Sequence, residues 1–100
     1  MTAEITQKRD HNIIFVGEKP FMNYVTGVVM NFTTRNSQET VIKARGKFIS
    51  RAVYIAEVAT KRFLENVVEV GNIKIGSEDF VNKEGKNVRV SFIEVTLKKK

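Results

Sequence analysis

The feature that most limits the fold is a change of hydrophobic period along a chain of only 100 residues. Ile13-Ile14-Phe15-Val16 is a short β-rich apolar run closed by Gly17, and it predicts a buried first strand over 12–16. Pro20 then opens a helix, since its fixed φ suits the first helical turn, and Phe21, Val25, Val28, Val29 and Phe32 fall on one face at i, i+4, i+7, i+8 and i+11. Met22, Tyr24 and Met30 lie off the centre of that stripe. Turn formers from Thr33 to Gln38 stop the helix before a second strand, Thr40 to Arg45, which Gly46 ends. From Lys47 to about Asn66 the positions Ile49, Ala52, Val53, Ala56, Ala59 and Phe63 mark the longest helix, with Lys47, Arg51, Glu57, Lys61 and Arg62 on its other side. After Asn66 the period becomes two. Val68, Val70, Ile73 and Ile75 nearly alternate with polar residues, Gly71-Asn72 marking a bulge or bend, and Ile93, Val95 and Leu97 share one face of a last strand over 88–97. The segment 82–87 between them reads as a hairpin tip, because Gly85 permits positive φ.

The order βαβαββ predicts an α/β two-layer sandwich, with two helices on one face of a mixed four-stranded sheet and polar positions on the other. A chain this short holds one core. Residues 1–11 read as a mobile polar tail and 12–100 as a single domain with a hairpin arm around 76–92.

Hydrophobic residues at 42% and charged residues at 28% place the chain among globular proteins rather than disordered ones. With no cysteine there is no disulfide, thiolate zinc site or cysteine nucleophile, and the single histidine, His11, lacks partners for a triad and reads as structural or solvated. Glu57, Glu65, Glu69, Glu78 and Asp79 show no convergence and read as solubilising or locally ion-paired, so no enzyme, metal or cofactor is expected. Gly71 to Ser77 imitates the glycine spacing of a P-loop, but Ser77 stands where the lysine belongs and the segment reads as strand. No apolar run is long enough for a membrane span and the charged N-terminus lacks a signal-peptide core, so a soluble intracellular protein with no membrane partner is expected. In that setting the glycosylation triplet Asn31-Phe32-Thr33 has no role.

A net charge of +6 and a pI near 9.8 point to a polyanionic partner. The basic residues stand where this fold presents them. Lys19 lies just outside a helix N-terminus, and Lys43-Ala44-Arg45-Gly46-Lys47 runs off a strand end into another helix start, both places where backbone amides favour an anion. Lys47 and Arg51, four apart, are expected to project together along one helix flank, and Lys83, Lys86 and Arg89 form a third cluster on the arm. Lys98-Lys99-Lys100 reads equally as nonspecific attraction or as a solubilising tail. A basic face that merely solubilises remains the rival reading.

Val16 to Val25 (VGEKPFMNYV), Val41 to Val53 (VIKARGKFISRAV) and the closing Ser91 to Val95 (SFIEV) resemble the Alba family of archaeal chromatin proteins, over nearly the whole chain from about Asn12 to Lys99. The resemblance implies a fold like the C-terminal domain of translation initiation factor three. It also implies a homodimer, or a heterodimer with a paralogue, that binds double-stranded DNA and RNA without strong sequence preference, in the cytoplasm and associated with the chromosome. By position, Lys19 looks like the family's central DNA-contacting lysine, with Arg45 and Lys47 beside it. Lys86 and Arg89 look like the basic residues of the arm that reaches toward the minor groove, and Phe63 like the aromatic that joins dimers along DNA. Family members often carry two lysines before the proline, one of them acetylated to weaken binding. Here the first is Glu18, which leaves Lys19 as the candidate for acetylation and places a phosphate-repelling charge beside it. An RNA-binding module for RNA folding or ribonucleoprotein assembly is the alternative function.

Overall fold

The computed structural model describes residues 12–100; His11 and the segment read as a tail lie outside the described residues. Strand β1 (Ile13–Phe15) leads to helix α1 (Phe21–Thr33) and strand β2 (Glu39–Arg45). A 3-10 turn (Gly46–Phe48), helix α2 (Ile49–Val58) and a π turn (Ala59–Phe63) follow, and the long strands β3 (Val68–Val81) and β4 (Asn87–Lys99) close the described chain. The sheet order is β1-β2-β4-β3, with β1 parallel to β2 and the other pairs antiparallel. This is the expected mixed four-stranded sheet with both helices on one face.

The alternation along the strands fixes which side chains meet the helices. Ile42 of β2 and Ile93, Val95 and Leu97 of β4 pack beneath Val25, Val28 and Phe32 of α1 and Ala52, Ile55 and Ala56 of α2. Val25, Val28, Ile42, Ala52, Ile55 and Leu97 have no exposed surface. Each of the larger aliphatic chains contributes about 1.5–3 kcal/mol by its burial. One polar pair interrupts this layer: Asn31 donates from Nδ2 to Thr40 Oγ1 at 3.3 Å and accepts from Arg35 Nη1 at 2.8 Å, so its amide is buried with its bonding satisfied.

The expected long helix from Lys47 to Asn66 is divided. Gly46, at φ 54°, turns the chain out of β2, and a 3-10 turn precedes α2. At the other end Leu64 N donates to Ala59 O at 2.9 Å, five residues back, so the π turn adds one residue to the helical register. Leu64 thereby takes the inward place that α-helical spacing gave to Phe63, which turns out and is 52% exposed. The buried stripe of α2 is Ala52, Ile55, Ala56 and Ala59, whereas Val53 is exposed. Two apolar stripes overlap on this helix, and the one carrying Ile55 packs on the sheet.

The Gly71-Asn72 bulge is present as a register shift between Val70 and Ile73, and Gly85 has φ 82° in the hairpin tip. Two faces depart from expectation. The inner face of β3 extends past the helices, leaving Val70, Ile73 and Ile75 bare. The outer face of the sheet, expected to be polar, carries Phe15 at 68% exposure and also Val41, Phe80, Val88, Val90 and Phe92. Strand periodicity explains this: Phe15 alternates with the inward Ile14, and Phe92 with the inward Ile93.

Candidate nucleic-acid interface

The loop between β1 and α1 is held by side chains from both helices. Tyr24 reaches back from the first turns of α1, buries its ring, and accepts at its hydroxyl from Gly17 N at 2.9 Å and Lys19 N at 3.1 Å. Arg51 of α2 donates from Nη1 to Gly17 O, with its guanidinium 5.7 Å from the Tyr24 ring centroid. Loop amides at an exposed turn would otherwise bond water. Here they are tied to the body, and Lys19 is presented one residue before Pro20, the N-cap of α1. Sequence position put Tyr24 off the apolar stripe; its length and its hydroxyl account for its burial.

Lys47 and Arg51 reach the same loop in different ways. Lys47 lies in the 3-10 turn with Nζ 3.8 Å from Glu18 Oε1, both side chains largely exposed, while Arg51 turns inward to Gly17. Both converge on the 17–20 loop, joining the two sequence motifs into one assembly.

On the outer face of β2, Lys43 Nζ lies 3.6 Å from Glu94 Oε2 and Arg45 Nε lies 3.1 Å from Glu78 Oε1. Arg45 is the last residue of β2 and pairs with Phe92, so beyond it β3 and β4 leave the sheet as a two-stranded arm. Register pairs from Ser77↔Ser91 to Val81↔Asn87 extend the arm by roughly 15 Å at ordinary strand rise. Arg89 meets Asp79 directly across the ladder, Nε to Oδ1 at 3.0 Å. At the tip, Asn82 Oδ1 accepts from Glu84 N at 2.9 Å and Lys86 N at 3.0 Å, which fixes the turn that displays exposed Lys83 and Lys86.

Thus Lys19, Arg45, Lys47 and the root of the arm gather at one end of the sheet, and Lys83 and Lys86 stand at the far end of the arm. Lys43, Arg45, Lys47 and Arg89 each have a carboxylate beside them; Lys19, Lys83 and Lys86 form no ion pair among the described residues. Paired surface cations remain available to phosphate, because exposed ion pairs are weak and screened by salt. No group of three or more residues of metal-ligating type clusters among the described residues, and no helix there is long and apolar enough to cross a membrane.

Comparison with known proteins agrees with this fold. The Alba family model matches residues 12–77. The chain is 52% identical over 88 residues to the DNA/RNA-binding protein Alba of Nanoarchaeum equitans, covering 87% of this chain and 97% of that one. To the protein of the same description from Methanococcus maripaludis it is 46% identical over 86 residues, covering 86% and 96%. Among solved structures, Alba from Thermoplasma volcanium superposes with a TM-score of 0.79 at 44% identity, covering 87% of this chain and 99% of that one. An Alba protein from Trypanosoma brucei, at 20% identity and a TM-score of 0.69 over 89% of this chain and 69% of its own, shares the fold. The motif loops that meet around Gly17 and Tyr24 lie inside the matched region, and on these grounds the chain belongs to the Alba family.

Proposed function

We propose that two copies of this chain form a dimer that binds double-stranded DNA and RNA through the phosphate backbone, without reading base sequence, and coats the chromosome in the cytoplasm. The observation that supports this reading is the 17–20 loop, tied to both helices by Tyr24 and Arg51, whose Glu18 meets Lys47 and which carries Lys19. Cations on a fixed frame suit the regular spacing of phosphates, and the arm is long enough to follow a groove away from the body. Arg51 serves here as a residue that positions the loop. The relatives described as DNA/RNA-binding support the same partner class.

Dimerisation is supported by the bare inner face of β3. Val70 and Ile73, with Val53 and Ala56 of α2, border a groove of about 740 Å³. Ile73 is 60% exposed and the neighbouring Ile75 75%, an apolar surface that a second copy would remove from water. Phe63, turned outward by the π turn, is the contact between neighbouring dimers along a duplex, and Lys19 is the lysine whose acetylation would weaken binding.

Titration of fluorescent DNA and RNA duplexes at several salt concentrations tests the proposal. Binding should weaken steeply with salt, with a log–log slope no steeper than about −9 if Lys19, Arg45, Lys47, Lys86 and Arg89 of both subunits each meet a phosphate. Lys19→Glu should weaken all duplex sequences alike; a loss confined to one sequence contradicts backbone recognition, and no binding to either duplex refutes the proposal.

A further inference from the structure

The outer face of the sheet is the feature that duplex binding leaves unexplained. Phe15, at the edge, is 68% exposed, and Lys43 of the neighbouring strand holds Nζ 5.8 Å from its ring centroid. The ring of Phe92 occupies the space above Gly76 on the adjacent strand: a Cβ at Gly76 would lie 2.6 Å from its Cζ. Phe80 lies beneath the guanidinium of Arg45, 5.2 Å from Cζ to the ring centroid. Phe15, Phe48 and Phe92 line one open groove of about 430 Å³ together with Lys43, Arg45, Glu78 and Glu94.

Charge distinguishes what this groove can hold. Within it, Lys43 is balanced by Glu94 and Arg45 by Glu78, so its floor is neutral and built of rings and one guanidinium plane. At its border stands Lys47, whose Nζ lies 5.3 Å from the ring centroid of the lining Phe48 and 3.8 Å from Glu18 of the loop that carries Lys19. A neutral aromatic floor with cations at the rim matches unpaired bases lying inward and phosphates running outside. An apolar protein partner would leave the charged pairs of the floor without their water. The carboxylates select further. Glu78 and Glu94 line the groove with acceptor oxygens, to which a ribose 2′-hydroxyl can donate and a deoxyribose has nothing to offer.

We infer that the outer sheet face is a stacking surface for single-stranded RNA, with Phe15 and Phe92 as base-stacking residues and Arg45 as a third stacking plane. This rests on the nucleic-acid reading above and shares Arg45 with the duplex surface, while its stacking rings Phe15 and Phe92 lie where no duplex contact is assigned. A strand on this face meets few phosphates, so its binding depends less steeply on salt than duplex binding does.

The test is anisotropy titration of the full chain with a labelled single-stranded RNA oligomer, the same sequence as DNA, the RNA with abasic positions, and the RNA duplex. Phe15 is exposed enough to be changed without disturbing the core. Phe15→Leu, which keeps apolar bulk and loses the π-face, should weaken single-stranded RNA by about fivefold or more, while Phe15→Tyr retains it. Duplex affinity should be unchanged in both. The inference is overturned if Phe15→Leu leaves single-stranded RNA binding intact, if abasic RNA or single-stranded DNA binds as tightly as the RNA, or if the variant loses only self-association, which would assign the face to a second copy. Duplex binding without single-strand binding rejects this inference alone, whereas binding to neither rejects the proposed function as well.

Discussion

Replacing Glu18 with glutamine removes one negative charge from the loop that carries Lys19 and leaves its shape intact. In the structure that carboxylate sits 3.8 Å from Lys47 Nζ, with both side chains about four-fifths exposed at 81% and 77%. A pair so exposed holds little folding energy, so thermal stability should barely change. Its effect on binding is larger, because the carboxylate competes with phosphate for the Lys47 ammonium and repels phosphate itself. If the freed Lys47 takes up one phosphate, one more counterion site is released, and the slope of log affinity against log salt steepens by about 0.9 per chain, or about 1.8 for a dimer using both copies. Over a fourfold change in salt this makes the variant's affinity fall by an additional factor of about 3.5 per chain, or about 12 for the dimer. Anisotropy titrations of one duplex at three or four salt concentrations, with wild type and Glu18→Gln side by side, measure it. Parallel log–log lines would refute the reasoning, since they would mean that Glu18 does not hold Lys47 back from phosphate.

Tyr24→Phe takes the shared acceptor from the Gly17 and Lys19 amides, and should lower stability in urea by about 1–3 kcal/mol, toward the smaller figure because this loop reaches solvent. Hydrogen exchange at those two amides should quicken selectively; unchanged exchange would show that the phenol does not hold the loop. Phe63→Ala should leave the affinity of one dimer for a short duplex unaltered while reducing cooperativity on a long one, and undiminished cooperativity would remove Phe63 from the contact between dimers. Gly76→Ala brings a methyl to 2.6 Å from the Phe92 ring, so the ring must leave its place and overpacking should cost about 1–3 kcal/mol, read as an earlier urea midpoint.

The sequence was most legible where one period governed a segment. The α1 stripe of Val25, Val28 and Phe32, the alternation of Ile93, Val95 and Leu97, the Gly71-Asn72 bulge and the Gly85 tip all follow from local rules. The α2 region was less legible because Ile49 and Val53 make as good a helical face with Ala56 as Ala52 and Ile55 do, and only the sheet decides between them. The π turn left no local signature, so Phe63 read as a core residue although it faces out. For the candidate interface, charge and spacing singled out Lys19, Arg45 and Lys47. They could not reveal that Arg51 turns inward, since that contact joins residues 34 apart in the chain, or that Tyr24 anchors the loop, since the loop must first fold back over the start of α1 to meet its hydroxyl.

The anchoring of the 17–20 loop ties binding to folding. Its two clamps, Tyr24 and Arg51, belong to the helices that build the core, so the loop cannot open fully while those helices stay seated, and it cannot stay set once they lift. A polyanion that grips Lys19 in the closed loop therefore also opposes release of α1 and α2 from the sheet. Nucleic acid held at a hundred times its dissociation constant would add about 2.7 kcal/mol to the folded state. In this geometry a polyanion bound at Lys19 would also brace the fold when heat would loosen it.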